Sequence, residues 1–159
     1  LEVRDVYQVL CNDPDAPQDL KEKALGFAAS MLEWDPRVER GAGRGLALEI
    51  LSSGRALGAL ERIVDLQGRH ERPASPGDRI YEVTSDRSGI IETIDSTQIS
   101  GIARTAGAPM DKSAGIDLLV RVGDNVSAGD PLYLIHGNVE NDVRIAVERS
   151  ESDTGITTR

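Results

Sequence analysis

The chain has 159 residues, with 27 acidic against 18 basic side chains and a formal charge of −9. That balance excludes a phosphate-backbone binder, which needs a basic face, and aromatics at 3% leave no stacking platform for single-stranded nucleic acid. Its single cysteine, Cys11, excludes an internal disulfide framework and a cysteine zinc site.

No apolar run approaches the roughly 20 residues of a membrane span, and no basic-then-apolar start marks a leader. The expectation is a reducing, cytoplasmic setting with neither nucleic acid nor membrane as partner. The length suits one ordinary domain or two small ones.

In chain order, Val3, Val6, Val9 and Leu10 recur at helical spacing from the first residue, and Asn12 to Pro17 stops that helix. Pro17 suits the first position of the next helix, which runs to about Trp34 with Leu20, Ala24, Phe27, Ala28, Met31 and Leu32 on one face. Gly41-Ala42-Gly43-Arg44-Gly45 separates it from a helical stretch at Leu46–Leu51. Ala56, Leu57, Leu60, Ile63 and Val64 mark another helix, closed by Gly68. These faces suffice for a small bundle, but they read better as a surface that packs on further structure.

Residues 69–77 form a polar linker with prolines and glycine. Beyond it the period changes to alternation, which predicts strands at 79–84, 89–94, 118–122 and 131–136. A short helix is expected over Gln98–Ala106, with Ile99, Ile102 and Ala103 inward. A last helix over Val139–Ser150 carries Val143, Ala146 and Val147, and the polar tail 151–159 is expected to fray. The domain division is therefore 1–68, a linker at 69–77, 78–150, and a tail.

Val122-Gly123-Asp124-Asn125-Val126-Ser127-Ala128-Gly129-Asp130-Pro131-Leu132 is the most specific motif. Its two Gly-Asp turns need positive φ, and each aspartate bonds back to nearby N–H groups. This is the turn grammar of a barrel-sandwich domain, shared with biotinyl and lipoyl carriers. A carrier needs a lysine at a hairpin tip, and Lys112 follows a helix instead. The three glycines at 41–45 follow a helix rather than a strand, and so read as a helix–helix turn rather than a nucleotide loop. His70 lies in the linker and His136 ends a strand; both read as surface histidines. Asp13 with Asp15, and Glu148 with Glu151, read as solvated faces. No catalytic constellation emerges.

The order of segments resembles the C-terminal part of the thymidine/pyrimidine-nucleoside phosphorylase family, most closely the type 2 branch that also contains archaeal AMP phosphorylases. Leu1-Glu2-Val3-Arg4-Asp5 is similar to the end of a family helix, and Glu49–Leu57 followed by Gln67-Gly68 to the helix pair closing the family's α/β domain. Ile102–Ile116 resembles its Ala-Gly-Ala-rich loop, and the double Gly-Asp segment ending in Leu134-Ile135-His136 completes the match.

The resemblance implies an α+β fold: a helical remnant of an α/β domain, then a β-rich barrel-sandwich (α/β-hammerhead-like) domain. It implies a pentosyltransferase in which inorganic phosphate, the co-substrate, cleaves thymidine to thymine and 2-deoxyribose 1-phosphate. The phosphate and base motifs would lie before Leu1, so this stretch alone is expected to be inactive, without catalytic or cofactor residues of its own. The implied partners are the rest of the enzyme and, at full length, a second copy in a homodimer. An acidic residue on the family's first helix helps ligate potassium, and Asp5 takes its position. Gly107, Ala108, Pro109, Met110, Asp111, Lys112, Ser113, Ala114 and Gly115 match the loop that reaches across when these enzymes close. The alternatives are phosphorolysis of AMP or another nucleoside 5′-monophosphate, and a non-enzymatic carrier or interaction module.

Overall fold

The structure, a computed structural model, describes residues 1–69 and 75–159. The chain divides into two compact units, residues 2–72 and residues 73–159 together with Leu1. His70 and part of the expected linker lie outside the described residues.

The first unit is helical: α1 (Glu2–Leu10), α2 (Gln18–Leu32), α3 (Gly43–Ser52) and α4 (Arg55–Gln67). Val9, Ala16, Leu25, Ala47 and Leu51 form its core, with Leu20, Ala28 and Leu32 packed against them. The apolar face expected on α2 is narrower than the spacing implied. Phe27 is 67% exposed, Met31 is also exposed, and Trp34 is 78% exposed. Phe27 and Met31 sit roughly 100° round the helix from Ala28 and Leu32, beyond the stripe that so small a core covers.

Of the glycines at 41–45, Gly41 lies in the helix–helix turn while Gly43 and Gly45 already belong to the first turn of α3, and Gly41 and Gly43 have distinct reasons to be glycine. Gly41 takes φ +87°, whereas Gly43 lets α3 approach α2. A Cβ on Gly43 would sit 2.3 Å from the Ala29 carbonyl oxygen. The Glu33 carboxylate accepts from the Gly41 and Gly43 N–H groups at 3.0 and 3.1 Å. It supplies at the start of α3 the negative charge that a phosphate would supply in a nucleotide loop. Gly43→Ala is expected to destabilise this unit by about 2 kcal/mol through overpacking, read as a lower urea midpoint.

The second unit contains β1 (Arg79–Thr84), β2 (Gly89–Ile94), α5 (Ser96–Thr105), β3 (Gly115–Leu118), β4 (Asn125–Val126), β5 (Pro131–Gly137), α6 (Glu140–Ser152) and β6 (Ile156–Thr158). They build two three-stranded sheets, ordered β1-β5-β3 and β4-β2-β6. Every pairing is antiparallel. The fold is α+β, and its sandwich consists of two small sheets without a closed barrel among the described residues. The core gathers Val83, Ile91, Ile102, Val126, Leu132, Tyr133 and Ile135, and α6 covers β1 and β5. Asp95 caps α5 by accepting from the Thr97 and Gln98 N–H groups, so the helix starts earlier than Gln98.

Both Gly-Asp turns behave as their sequence requires. Gly123 and Gly129 have φ +97° and +91°. Asp124 accepts from the Arg121 N–H and Asp130 from the Ser127 N–H, each at 2.7 Å. The Gly123 N–H then donates to Ile91 and the Gly129 N–H to Ser85, so one turn is tied to β2 and the other to the end of β1.

Three expectations about this unit are corrected. The strand expected at 118–122 is instead β3 at Gly115–Leu118. The chain leaves β5 after the Leu119 N–H bonds to Leu132 and turns toward β2. The tail does not fray: α6 continues to Ser152, and β6 pairs Ile91 with Thr158 and Ile94 with Ile156. The β-branched run Ile156-Thr157-Thr158 suits a strand edge although its composition is polar. Third, the linker's last residue, Gly77, is buried and its N–H donates to the Ser113 carbonyl at 2.8 Å.

Candidate functional site

The Gly107–Gly115 loop is a knot of hydrogen bonds at its base and an exposed tip. It begins where α5 ends, with the Gly107 and Ala108 N–H groups donating to Arg104 and Ala103. The Asp111 N–H closes back on the Gly107 carbonyl at 3.0 Å. The Asp111 carboxylate accepts from the Ser113 N–H at 2.8 Å and from the Ser113 hydroxyl. Those two bonds, the hydroxyl's first, hold the Asp111 carboxyl below the usual carboxylate range.

Ser113 in turn joins the loop to the sheet. Its carbonyl accepts from Gly77, and its hydroxyl accepts from Asn138 Nδ2 at 2.7 Å. Asn138, just beyond β5, also receives the Asp78 N–H on its Oδ1 at 3.2 Å. Above this base, Pro109, Met110 and Lys112 are exposed, Met110 at 89%. The arrangement presents an apolar and a cationic side chain on a segment held only at its foot.

The other candidates resolve differently. Lys112 lies in a turn between α5 and β3, not at the tip of a strand hairpin, so the carrier geometry is absent there. Asp5 accepts from Arg4 Nε at 2.9 Å, a cation already at its carboxylate. Among the described residues no group of three or more His, Cys, Asp or Glu side chains surrounds a common point. Asp13 turns the chain ahead of α2 by accepting from the Asp15 N–H at 2.9 Å, and Glu148 is ion-paired with Arg144. No helix among the described residues is long and apolar enough to cross a membrane.

His136 overturns its sequence reading as a surface residue. It is 5% exposed, and neither ring nitrogen has a hydrogen-bond partner. β5 is the central strand of its sheet and is buried on both faces, so a residue near its end is still interior. The continuous apolar run Leu132-Tyr133-Leu134-Ile135 ahead of it carries that signal. Gly77 and Asn138, the loop's anchors, had no sequence signal, because each is far from Ser113 along the chain.

Residues 90–157 match the pyrimidine nucleoside phosphorylase C-terminal domain. The chain is 52% identical over 146 residues to the bifunctional ribose 1,5-bisphosphokinase-thymidine phosphorylase of Azorhizobium caulinodans, covering 92% of this chain and 21% of that protein. It is 49% identical over 148 residues to the protein of the same name from Cupriavidus pinatubonensis, covering 92% of this chain and 25% of that one. A Methylococcus capsulatus protein provisionally named a thymidine phosphorylase is 47% identical over 155 residues, covering 98% of this chain and 30% of its own length. The chain thus spans less than a third of the length of these relatives. With the match running from the helical unit through the Gly107–Gly115 loop and the paired Gly-Asp turns to β6, this chain belongs to the thymidine/pyrimidine-nucleoside phosphorylase family.

Proposed function

We propose that this chain is the C-terminal part of a longer thymidine phosphorylase, and that it closes and shields a reaction centre supplied by the rest of that enzyme. The observation that carries the reading is identity of 47% across 98% of the chain to a protein carrying that name. The exposed Phe27, Met31 and Trp34 of the helical unit support it, since apolar groups left open on so small a unit mark a surface that other structure covers.

In the proposed reaction an oxygen of inorganic phosphate bonds to the anomeric carbon of thymidine as the carbon–nitrogen bond to thymine breaks. The electron pair of that bond leaves with the base, which takes up a proton, and 2-deoxyribose 1-phosphate remains. Negative charge builds on the departing base and positive charge on the sugar, so water must be kept out while fixed donors hold the base and the phosphate. The part given to this chain is positional. The Gly107–Gly115 loop, footed on Ser113, Asn138 and Gly77, brings Met110 and Lys112 over the substrate. A homodimer of the full enzyme in a cytoplasmic setting belongs to the same proposal and rests on the family resemblance.

The test uses the full-length enzyme with thymidine, with and without phosphate. Thymine and 2-deoxyribose 1-phosphate are expected only with phosphate, and residues 1–159 alone are expected to release no base. No conversion of thymidine in the presence of phosphate would overturn the reading. Conversion of a nucleoside 5′-monophosphate in its place would reassign the substrate.

A further inference from the structure

Among the described residues, the only buried side-chain nitrogen or oxygen atoms without a hydrogen-bond partner are the two ring nitrogens of His136. A neutral imidazole carries one donor and one acceptor, and folded proteins rarely leave both unmade. The register explains why neither is used here. His136 pairs with Ile80 on β1 and with Gly115 on β3, and the residue before it on the same face of β5 is Leu134. None of these offers a polar side chain.

The position is as telling as the vacancy of its bonds. Gly115 is the last residue of the Gly107–Gly115 loop, and it stands directly across from His136. Just past the end of β5, Asn138 already holds the same loop through Ser113. An unused donor and acceptor therefore sit beneath the point where the loop joins the sheet. An apolar residue of similar volume would pack there without leaving polar atoms unmatched, so the imidazole brings no benefit to this arrangement of the chain.

We infer that His136 is a positioning residue for the proposed phosphorolysis, its ring taking a hydrogen bond from the Gly107–Gly115 loop when the loop moves over bound substrate. The inference rests on the functional reading above. In the open arrangement the ring is idle. In the closed one it fixes the foot of the loop with a second bond beside that of Asn138.

The test compares wild type, His136→Leu and His136→Gln in the full-length enzyme. His136→Leu removes both nitrogens; His136→Gln keeps one donor and one acceptor. His136→Leu is expected to raise Tm while lowering kcat about tenfold, with KM within about twofold, because a closure step is weakened rather than substrate binding. His136→Gln is expected to recover most of kcat. Backbone amides of residues 107–115 are expected to exchange faster in His136→Leu than in wild type with phosphate and thymine bound. Unchanged kcat in His136→Leu would overturn the inference, as would a loss of kcat that only follows a fall in Tm. Lost activity with unchanged loop exchange would overturn the assignment to the loop. Were the wild type to release no base, the functional reading would fail by itself. Loop exchange would still decide the role of His136: with phosphate and whichever base, nucleoside or nucleotide the protein binds, faster exchange in His136→Leu supports it and equal exchange overturns it, and without ligand, where the ring is idle, a difference between the two proteins would overturn it as well.

Discussion

Replacing Gly77 with alanine is expected to destabilise the sheet-bearing unit by about 3 kcal/mol and to loosen the Gly107–Gly115 loop in the same step. A Cβ at Gly77 would lie 2.4 Å from the carbonyl carbon and oxygen of Gly137 and 2.8 Å from its Cα. All three are backbone atoms at the end of the central strand. Gly137 cannot retreat, because it pairs with Arg79 on one side, and its own Cβ position lies 2.7 Å from a Val143 methyl on α6. The strain must therefore be relieved by moving Gly77 itself. That movement stretches its N–H bond to the Ser113 carbonyl and the neighbouring bond from Asp78 to Asn138. Urea unfolding followed by circular dichroism gives the first effect. Faster hydrogen exchange at residues 107–115 gives the second. A midpoint close to wild type with unchanged loop exchange would show that the chain entry and β5 do not pack this closely in solution.

The loop shows where sequence reading succeeds and where it stops. Its glycines, proline and polar residues, following the apolar spacing Ile99 and Ile102, mark both the end of a helix and an exposed turn. The two Gly-Asp turns are legible for the same reason: the aspartate bonds that shape them run within four residues, so that information is local. What holds the loop is not local. Ser113 is fixed by Gly77 and Asn138, and no periodicity links those three positions. β6 escaped for a related reason, since a three-residue strand is stabilised by its partner β2 rather than by its own composition. His136 stands at the end of a strand, where alternation alone places it at the surface; that β5 is the middle strand, with both faces interior, depends on pairings far along the chain. On α2 the difference runs the other way. Its apolar spacing is real, but the unit has no partner for Phe27 and Met31 among the described residues.

Above pH 10 the stability of the sheet-bearing unit is expected to fall by about 2–3 kcal/mol more in wild type than in Tyr133→Phe. Tyr133 is 0% exposed, and its hydroxyl donates to the Thr154 carbonyl at 3.0 Å, pinning the segment that leads into β6. Burial, the main cause, pushes the phenol from an ordinary 10.0 up to about 12; the charge of Asp153 adds to the rise and a hydrogen bond with Ser150 partly opposes it. The sign follows from which state gives up its proton first. Below pH 10 the phenol is protonated in both states, so its contribution is present in full. Between the ordinary value and the raised one, the unfolded chain ionises while the folded chain holds its proton, and unfolding is favoured increasingly with pH. Tyr133→Phe has no proton to lose there. It should start about 1 kcal/mol less stable at pH 8, where it lacks the hydroxyl bond to Thr154, and should become the more stable protein before the phenol is fully ionised. Tyr7, whose phenol is also raised, through its hydrogen bond to Glu61, is common to both proteins and cancels in the comparison. Urea midpoints for the pair at pH 8, 10 and about 11.5 test the crossing; two curves that stay parallel would mean that the phenol of Tyr133 reaches water in the folded state.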